Sequence, residues 1–240
     1  MTTSDLTIDT SDGPMPAYRA VPEGTPKGAI VVIQEAFGVT GHIEDVTRRL
    51  ATAGWLAIAP ALFHRQGSPV LGYTDFDKVM PIMAELNAAG ITEDLNASFD
   101  HLEGEGFPAG RSGVVGFCMG GSVALVAGTL RPLGAAVSYY GGGLAEGRFG
   151  FPPLVELAPT LSSPWLGQYG DLDKGIPVEQ VEALRAAAAT APVETRVYRY
   201  ADAEHGFNCD DRPDVFNPAA AEQAWARTLD WFDAHVGAAR

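Results

Sequence analysis

The sequence is poor in basic residues and in cysteine. Lysine and arginine together number 16, against 30 aspartates and glutamates, so the formal net charge at pH 7 is -14. Nucleic acids and anionic membranes repel a chain of this charge, and we expect neither as a partner. Two cysteines in 240 residues are too few for a disulfide framework or a zinc site, so we expect no metal. No motif in the chain requires a cofactor, and we expect none.

Long apolar runs and targeting signals are missing as well. No apolar run approaches the length that spans a bilayer. The first residues, Met1 to Asp5, lack the basic start and the apolar core of a signal peptide. Because a chain with so few cysteines suits a reducing compartment, we expect a cytoplasmic protein. The length suits one large domain over residues 1–240, as a monomer or a small homo-oligomer.

Short apolar runs alternate with helical segments along the chain. After a hairpin over residues 4–20, runs such as 29–33 are apolar throughout, which suits strands buried on both faces of a parallel sheet. This alternation predicts an α/β fold, with a doubly wound, mostly parallel sheet flanked by helices. The expected strands are 29–33, 55–59, 111–117, 134–140, 164–169 and 194–200. The expected helices begin near residues 41, 75, 92 (capped by Thr92), 122 and 178, and a last one is marked by Trp225, Leu229, Phe232 and Val236.

One stretch has the pattern of a nucleophile elbow, the tight strand-to-helix turn of α/β-hydrolases. An apolar strand ends in Gly116-Phe117-Cys118-Met119-Gly120-Gly121, with cysteine at the position where serine is usual. The strained backbone of such a turn requires small neighbours two residues away on each side, and here both are glycine. The N-terminus of the helix that follows favours a thiolate. The alternative is a buried cysteine in a glycine-rich turn.

Four groups with acid–base or nucleophilic chemistry each follow an expected strand: Glu35, Cys118, Asp171 and His205. Ligands of doubly wound sheets bind at the carboxyl ends of the strands, so these groups should meet at one edge. Nucleophile, acid and histidine also come in the chain order of α/β-hydrolases. Asp171 could instead be a turn former. Asp173 is its rival as the acid.

Of the five histidines, His205 lies in the loop directly after the last expected strand. A histidine with a pKa near neutrality is the natural partner of a thiol, and an acid must orient it. We expect the remaining four to be exposed to solvent, since they lie on expected helices or in an early loop. These are His42, His64, His101 and His235.

Further motifs extend over most of the chain. They are Gln34-Glu35-x-x-Gly38, Pro60-Ala61-Leu62-Phe63, Asp94-Leu95, Tyr139-Tyr140-Gly141, Gly170-x-x-Asp173 and His205-Gly206-Phe207, besides the elbow itself. Together they make the chain, from about residue 15 to 235, resemble the dienelactone hydrolase family, the carboxymethylenebutenolidases. The resemblance implies the α/β-hydrolase fold and a catalytic triad of Cys118, Asp171 and His205. It also implies that Glu35 contacts the nucleophile thiol and helps to deprotonate it when substrate binds. An exposed loop carboxylate is the alternative for Glu35.

The chemistry of such a triad requires backbone donors for an oxyanion. The residue after the nucleophile should supply one N–H, from Met119, and the loop after the first long strand the other, from Ala36. The candidate substrate-binding residues are Tyr140, Phe37, Phe207, Cys209 and Arg212.

The carboxylate-binding arginines of the family are not matched in this sequence. Residues 66–90 contain no arginine, and the position four residues after His205 is Cys209. Arg65 and Arg212 lie nearby in sequence and could substitute. The substrate therefore stays open among dienelactones, other lactones and small esters.

We expect a cysteine-dependent hydrolase of small esters or lactones that works through an acyl-enzyme. A non-catalytic binding protein with this fold is one alternative. A redox-responsive protein is another, in which Cys118 and Cys209 would form a reversible disulfide. Cys209 could also merely line the pocket.

Overall fold

A computed structural model describes residues 1–237. Within that range the chain forms one eight-stranded sheet and seven α-helices. The strands are β1 (Thr2–Thr10), β2 (Gly13–Val21), β3 (Ala29–Ile33), β4 (Leu56–Pro60), β5 (Ser112–Phe117), β6 (Ala135–Tyr139), β7 (Trp165–Gly170) and β8 (Thr195–Tyr200). The helices are α1 (Gly41–Thr52), α2 (Phe76–Ala84), α3 (Ala88–Gly104), α4 (Met119–Leu130), α5 (Leu154–Leu157), α6 (Val178–Ala188) and α7 (Pro218–His235).

The sheet has the order β1-β2-β4-β3-β5-β6-β7-β8. The hairpin of β1 and β2 is antiparallel, and β2 joins β4 in the same sense. All pairs from β4 to β8 across the sheet are parallel. Every residue of the central strands is buried because helices cover both faces. The expected doubly wound, mostly parallel α/β fold is therefore confirmed.

The α3 helix begins earlier than the sequence predicts. The side-chain oxygen of Asn87 accepts a hydrogen bond from the Gly90 N–H at 3.0 Å, so Asn87 is the N-cap and α3 begins at Ala88. Thr92 lies within the helix, and its prediction as the cap is wrong. Two alanines after the cap favour the helix enough to offset one glycine.

A buried carboxylate fastens the β1–β2 hairpin to α3. Asp94 is fully buried and accepts two hydrogen bonds from Arg65, at 2.8 and 2.9 Å. The Nε2 atom of His64 lies 3.0 Å from the same carboxylate. Arg65 also donates to Asp12 in the hairpin turn, at 2.8 Å. Arg65 therefore belongs to this network, because the buried charge of Asp94 needs its partners.

No helix within residues 1–237 combines the length and the apolar character needed to cross a bilayer.

Candidate active site

The loop between β5 and α4 forces Cys118 into a backbone conformation that side chains rarely adopt. Its φ is 56° and its ψ is -117°. A Cβ atom on Gly116 would collide with the carbonyl oxygen of Gly120. The turn therefore requires glycine at position 116, as the sequence pattern predicts. This strained turn lifts the Cys118 side chain out of the core, where it is partly exposed.

Met119 and Ala36 are the expected donors of an oxyanion site. Met119 is the first residue of α4, so its N–H has no acceptor within the helix. Ile33 of β3 pairs with Gly116 of β5, and the segment containing Ala36 leaves the sheet beside the elbow. These two residues thus follow neighbouring strands, β5 and β3, and their role in binding an oxyanion stays a prediction.

Asp173, not Asp171, orients the catalytic candidate His205. The Nδ1 atom of His205 lies 2.6 Å from Oδ2 of Asp173. The other oxygen of Asp173 accepts a hydrogen bond from the Gly175 N–H at 2.8 Å. Asp173 is 5% exposed, so both of its oxygens are held in one orientation.

The assignment of Asp171 as the triad acid is wrong. Its carboxylate accepts two hydrogen bonds from Arg199 of β8, at 2.7 and 2.8 Å. That guanidinium lowers the pKa of Asp171. Asp171 directly follows β7 and turns towards the neighbouring strand, whereas the loop must advance two more residues to reach His205. The Gly170-x-x-Asp173 spacing in the sequence was the signal that pointed to the right residue.

The surroundings of His205 raise the pKa of its imidazole. Burial of the ring lowers its pKa, but the charge of the adjacent Cys118 and hydrogen bonds to Asp173 and Cys118 raise the pKa to about 10. At neutral pH the imidazole is therefore protonated. The ring of Tyr140 packs against that of His205, with centroids 5.1 Å apart.

Glu35 is buried, as the apolar strand before it suggests. It is 1% exposed, and its Oε1 accepts a hydrogen bond of 3.5 Å from the Tyr140 hydroxyl. Its Oε2 has no hydrogen-bond partner among the described residues. The contact with the Cys118 thiol that the resemblance implies is therefore not formed in this state. Burial and the charges of Glu35, Cys209 and Cys118 raise the pKa of Tyr140 well above its usual value, so the phenol stays a donor.

Cys209 is buried against the segment that carries Tyr73. It is fully buried, and its thiol donates to the hydroxyl of Tyr73 at 3.5 Å. Burial and the charge of Glu35 raise the pKa of Cys209 to about 12. Both cysteines are free thiols. An enclosed thiol with so little thiolate is poorly suited to form a disulfide with Cys118.

The remaining candidates for substrate binding differ in how far their side chains are exposed. Phe207 is fully buried behind Tyr140, with ring centroids 5.3 Å apart, so it supports the site without reaching substrate. Phe37 is nearly buried and packs edge-on against Tyr73. Arg212 lies over both of these last two rings, 5.9 and 5.6 Å from their centroids, and reaches the cleft.

A cleft of about 580 Å³ opens in front of Cys118 and His205. Its basic side chains are Arg148, Lys174 and Arg212. Within residues 1–237 none of these three cations has a carboxylate partner. The acids Glu146 and Glu204, which lie on the rim, are exposed. Sequence analysis missed Arg148, Lys174 and Tyr73, because no motif there marks them.

Two of the other histidines are buried, against expectation. His42 is 1% exposed and the side chain of His64 is 2% exposed. Each is paired with a carboxylate on a distant part of the chain, Asp210 for His42 and Asp94 for His64. The side chains of His101 and His235 are partly exposed. No group of three or more potential ligand residues in the described part of the chain is arranged to hold a metal ion.

Comparison with known proteins extends over almost the whole chain. Residues 15–236 match the model of the dienelactone hydrolase family. A protein of Escherichia coli (strain K12) with the name "Putative carboxymethylenebutenolidase" is 38% identical over 231 residues, which cover 93% of this chain and 83% of that protein. A carboxymethylenebutenolidase of Rhodococcus opacus is 28% identical over 228 residues, with coverage of 93% and 87%.

A solved structure with a similar sequence also has the same fold. The crystal structure of a protein from Klebsiella pneumoniae, with the name "Putative Dienelactone Hydrolase", superimposes with a TM-score of 0.89 at 35% identity. The match covers 97% of this chain and 98% of that one.

Proposed function

Because this chain belongs to the dienelactone hydrolase family, whose members are ester and lactone hydrolases, we propose that it is a cysteine-dependent hydrolase of small esters or lactones. One observation carries the proposal: the partly exposed Cys118 in its strained turn adjoins a His205 whose other nitrogen is held by buried Asp173.

Acylation begins with the thiolate of Cys118, which attacks the carbonyl carbon of the substrate. The carbonyl oxygen becomes an oxyanion, which the N–H groups of Met119 and Ala36 stabilise. When the tetrahedral intermediate collapses, the C–O bond to the leaving alkoxide breaks. The imidazolium of His205 gives its proton to that alkoxide, and a thioester on Cys118 remains.

In deacylation His205 acts first as a base instead of an acid. His205, now neutral, takes a proton from a water molecule that attacks the thioester carbonyl. The second tetrahedral intermediate expels the thiolate of Cys118 and releases the carboxylic acid. Throughout the cycle Asp173 accepts the Nδ1–H of His205 and stabilises the imidazolium.

Glu35 has a separate place in this scheme. Its Oε2 is buried and has no partner within residues 1–237, so it can accept a proton or a hydrogen bond from a group that enters the site. Tyr140 holds the other oxygen. This leaves Glu35 as a second acceptor for the thiol proton whenever the Cys118 side chain turns away from His205.

The charge pattern of the cleft favours a substrate with an anionic group. The chain carries a net charge of -14, yet three cations line this cleft without ion-pair partners in the described range. Arg212 is the best placed of them, since aromatic rings fix its guanidinium beside the loop that carries His205. It would replace the family's carboxylate-binding arginine, a role that Arg65 cannot take because it is bound to Asp94.

The thioester is the direct test of the function. Acid quenching of the enzyme during turnover of p-nitrophenyl acetate, followed by peptide mass spectrometry, should find an acetyl group on the peptide of Cys118. The Cys209→Ser variant should show the same adduct, and Cys118→Ala should show none. Turnover with acetylation at another residue, or with no adduct in single-turnover samples, would contradict the proposed mechanism.

The role of Arg212 in specificity is tested by its removal. We expect Arg212→Gln to raise KM for an ester that bears a free carboxylate by about tenfold, since one charge-assisted hydrogen bond is lost. The KM for the neutral p-nitrophenyl acetate should change less than about twofold, and this ester is the internal control. Equal changes in KM for both esters would show that Arg212 does not recognise the charge of the substrate.

A further inference from the structure

A second histidine–carboxylate pair lies behind the active site. The Nδ1 atom of His42, in the first turn of α1, is 3.1 Å from Oδ1 of Asp210. The side chain of His42 is fully buried, whereas that of Asp210 is 53% exposed. The ring of His42 also packs edge-on against Phe117, with centroids 6.1 Å apart. Phe117 precedes Cys118, so His42 contacts the nucleophile strand and the histidine loop at once.

The two ring nitrogens of His42 have different surroundings. Its Nε2 is buried and has no hydrogen-bond partner in the part of the chain that the structure describes. The Nδ1 atom faces a carboxylate oxygen, which accepts a hydrogen bond, so the proton of this contact lies on Nδ1. His42 therefore donates one hydrogen bond, and Asp210 accepts it.

Asp210 lies in the middle of the segment that carries the other active-site groups. The Cys209 N–H donates to the Gly206 carbonyl at 2.9 Å, and the Arg212 N–H donates to the Cys209 carbonyl at 3.1 Å. These two consecutive turns leave the backbone between His205 and Arg212 little conformational freedom. A side-chain hydrogen bond at Asp210 therefore fixes the position of both ends.

We propose that His42 and Asp210 are positioning residues, which hold the segment from His205 to Arg212 against β5 through their mutual hydrogen bond. This inference rests on the proposed function for its activity readout, but not for its structural one. Loss of the bond lets the segment move, so that His205 spends less time in contact with Cys118 and Arg212 less time in the cleft.

The variants are chosen to separate the hydrogen bond from charge and packing. Asp210→Ala removes the acceptor at a half-exposed site, where the fold should tolerate it. Asp210→Asn keeps an acceptor oxygen but removes the charge. His42→Phe keeps a ring against Phe117 but removes the donor. The matched control is Asp211→Ala, since the neighbouring Asp211 is also exposed and its side chain has no hydrogen bond or ion pair within residues 1–237.

Two rates are measured for each variant: kcat/KM for p-nitrophenyl acetate and the rate of Cys118 alkylation by iodoacetamide. We expect Asp210→Ala and His42→Phe each to lower both by about tenfold, the size of one hydrogen bond to a charged group. Asp210→Asn should recover most of the loss, and Asp211→Ala should match wild type. The double variant His42→Phe/Asp210→Ala should be no slower than either single one, because the two act through one bond.

Several results would overturn the inference. Wild-type rates in Asp210→Ala would do so, as would equal losses in Asp211→Ala or losses that multiply in the double variant. If His42→Phe fails to fold, the three single variants at positions 210 and 211 still decide. Alkylation needs no ester substrate, so an enzyme without esterase activity would refute the proposed function while the positioning role is still measured.

Discussion

An Asp173→Asn enzyme is expected to keep about one part in 10^4 of the wild-type kcat for ester hydrolysis, the loss seen when a triad carboxylate becomes an amide. An Asp171→Asn enzyme is expected to keep its kcat within about twofold, since it loses only a partly exposed pair with Arg199, of a kind that contributes at most about 1 kcal/mol to stability. The measurement is steady-state kinetics with p-nitrophenyl acetate on both purified variants.

The difference follows from the hydrogen bonds that hold the carboxylate of Asp173. Because the Gly175 N–H donates to Oδ1, the amide of an asparagine would keep its oxygen there and turn its NH₂ group towards His205. The Nδ1 atom of His205 would then have to accept, and its proton would move to Nε2. A neutral ring protonated on Nε2 cannot take the proton of the attacking water, and the imidazolium loses its counter-charge.

Stability must be measured alongside activity. Thermal unfolding of the two variants controls for a general loss of structure, and both should unfold within a few degrees of wild type. A severe loss of activity in Asp171→Asn, with Asp173→Asn little affected, would reverse the assignment made from the geometry.

Features that depend on neighbours in sequence could be predicted from the sequence. The elbow is such a feature, because the strained conformation of Cys118 and the need for glycine at position 116 arise within a few residues. The central strands are another. Runs such as Ala29–Ile33 are apolar throughout because both faces of the sheet are covered, and composition alone indicates this.

Features that depend on side-chain direction could not be predicted in the same way. Asp171 and Asp173 lie two residues apart in one loop, and either could follow the strand into the site. What separates them is Arg199 on β8, which takes the first carboxylate and leaves the second for His205. That pairing joins residues 28 positions apart, which no local pattern reveals.

Burial of polar groups was the other point that sequence patterns missed. Exposure was expected of His42 because it lies on an expected helix, and of His64 because it lies in an early loop. Both are buried because a carboxylate from a distant segment satisfies one ring nitrogen. A buried imidazole therefore depends on a tertiary contact, and the apolar periodicity of a helix carries no information about it.

The two thiols are expected to differ in their reaction with iodoacetamide by at least about 10^3-fold, with Cys118 the faster. Cys209 is fully buried, and its pKa of about 12 leaves roughly one thiol in 10^4 ionised at about pH 8. Cys118 is partly exposed, lies at the N-terminus of α4 and faces the imidazolium of His205, whose pKa is raised to about 10.

The measurement is mass-spectrometric mapping of both peptides over time, with loss of esterase activity expected to follow the occupancy of Cys118. The control is the chain unfolded in guanidinium chloride, where both cysteines should react at similar rates. Equal labelling in the folded protein, or labelling mainly of Cys209, would contradict both the ion pair at Cys118 and the enclosure of Cys209.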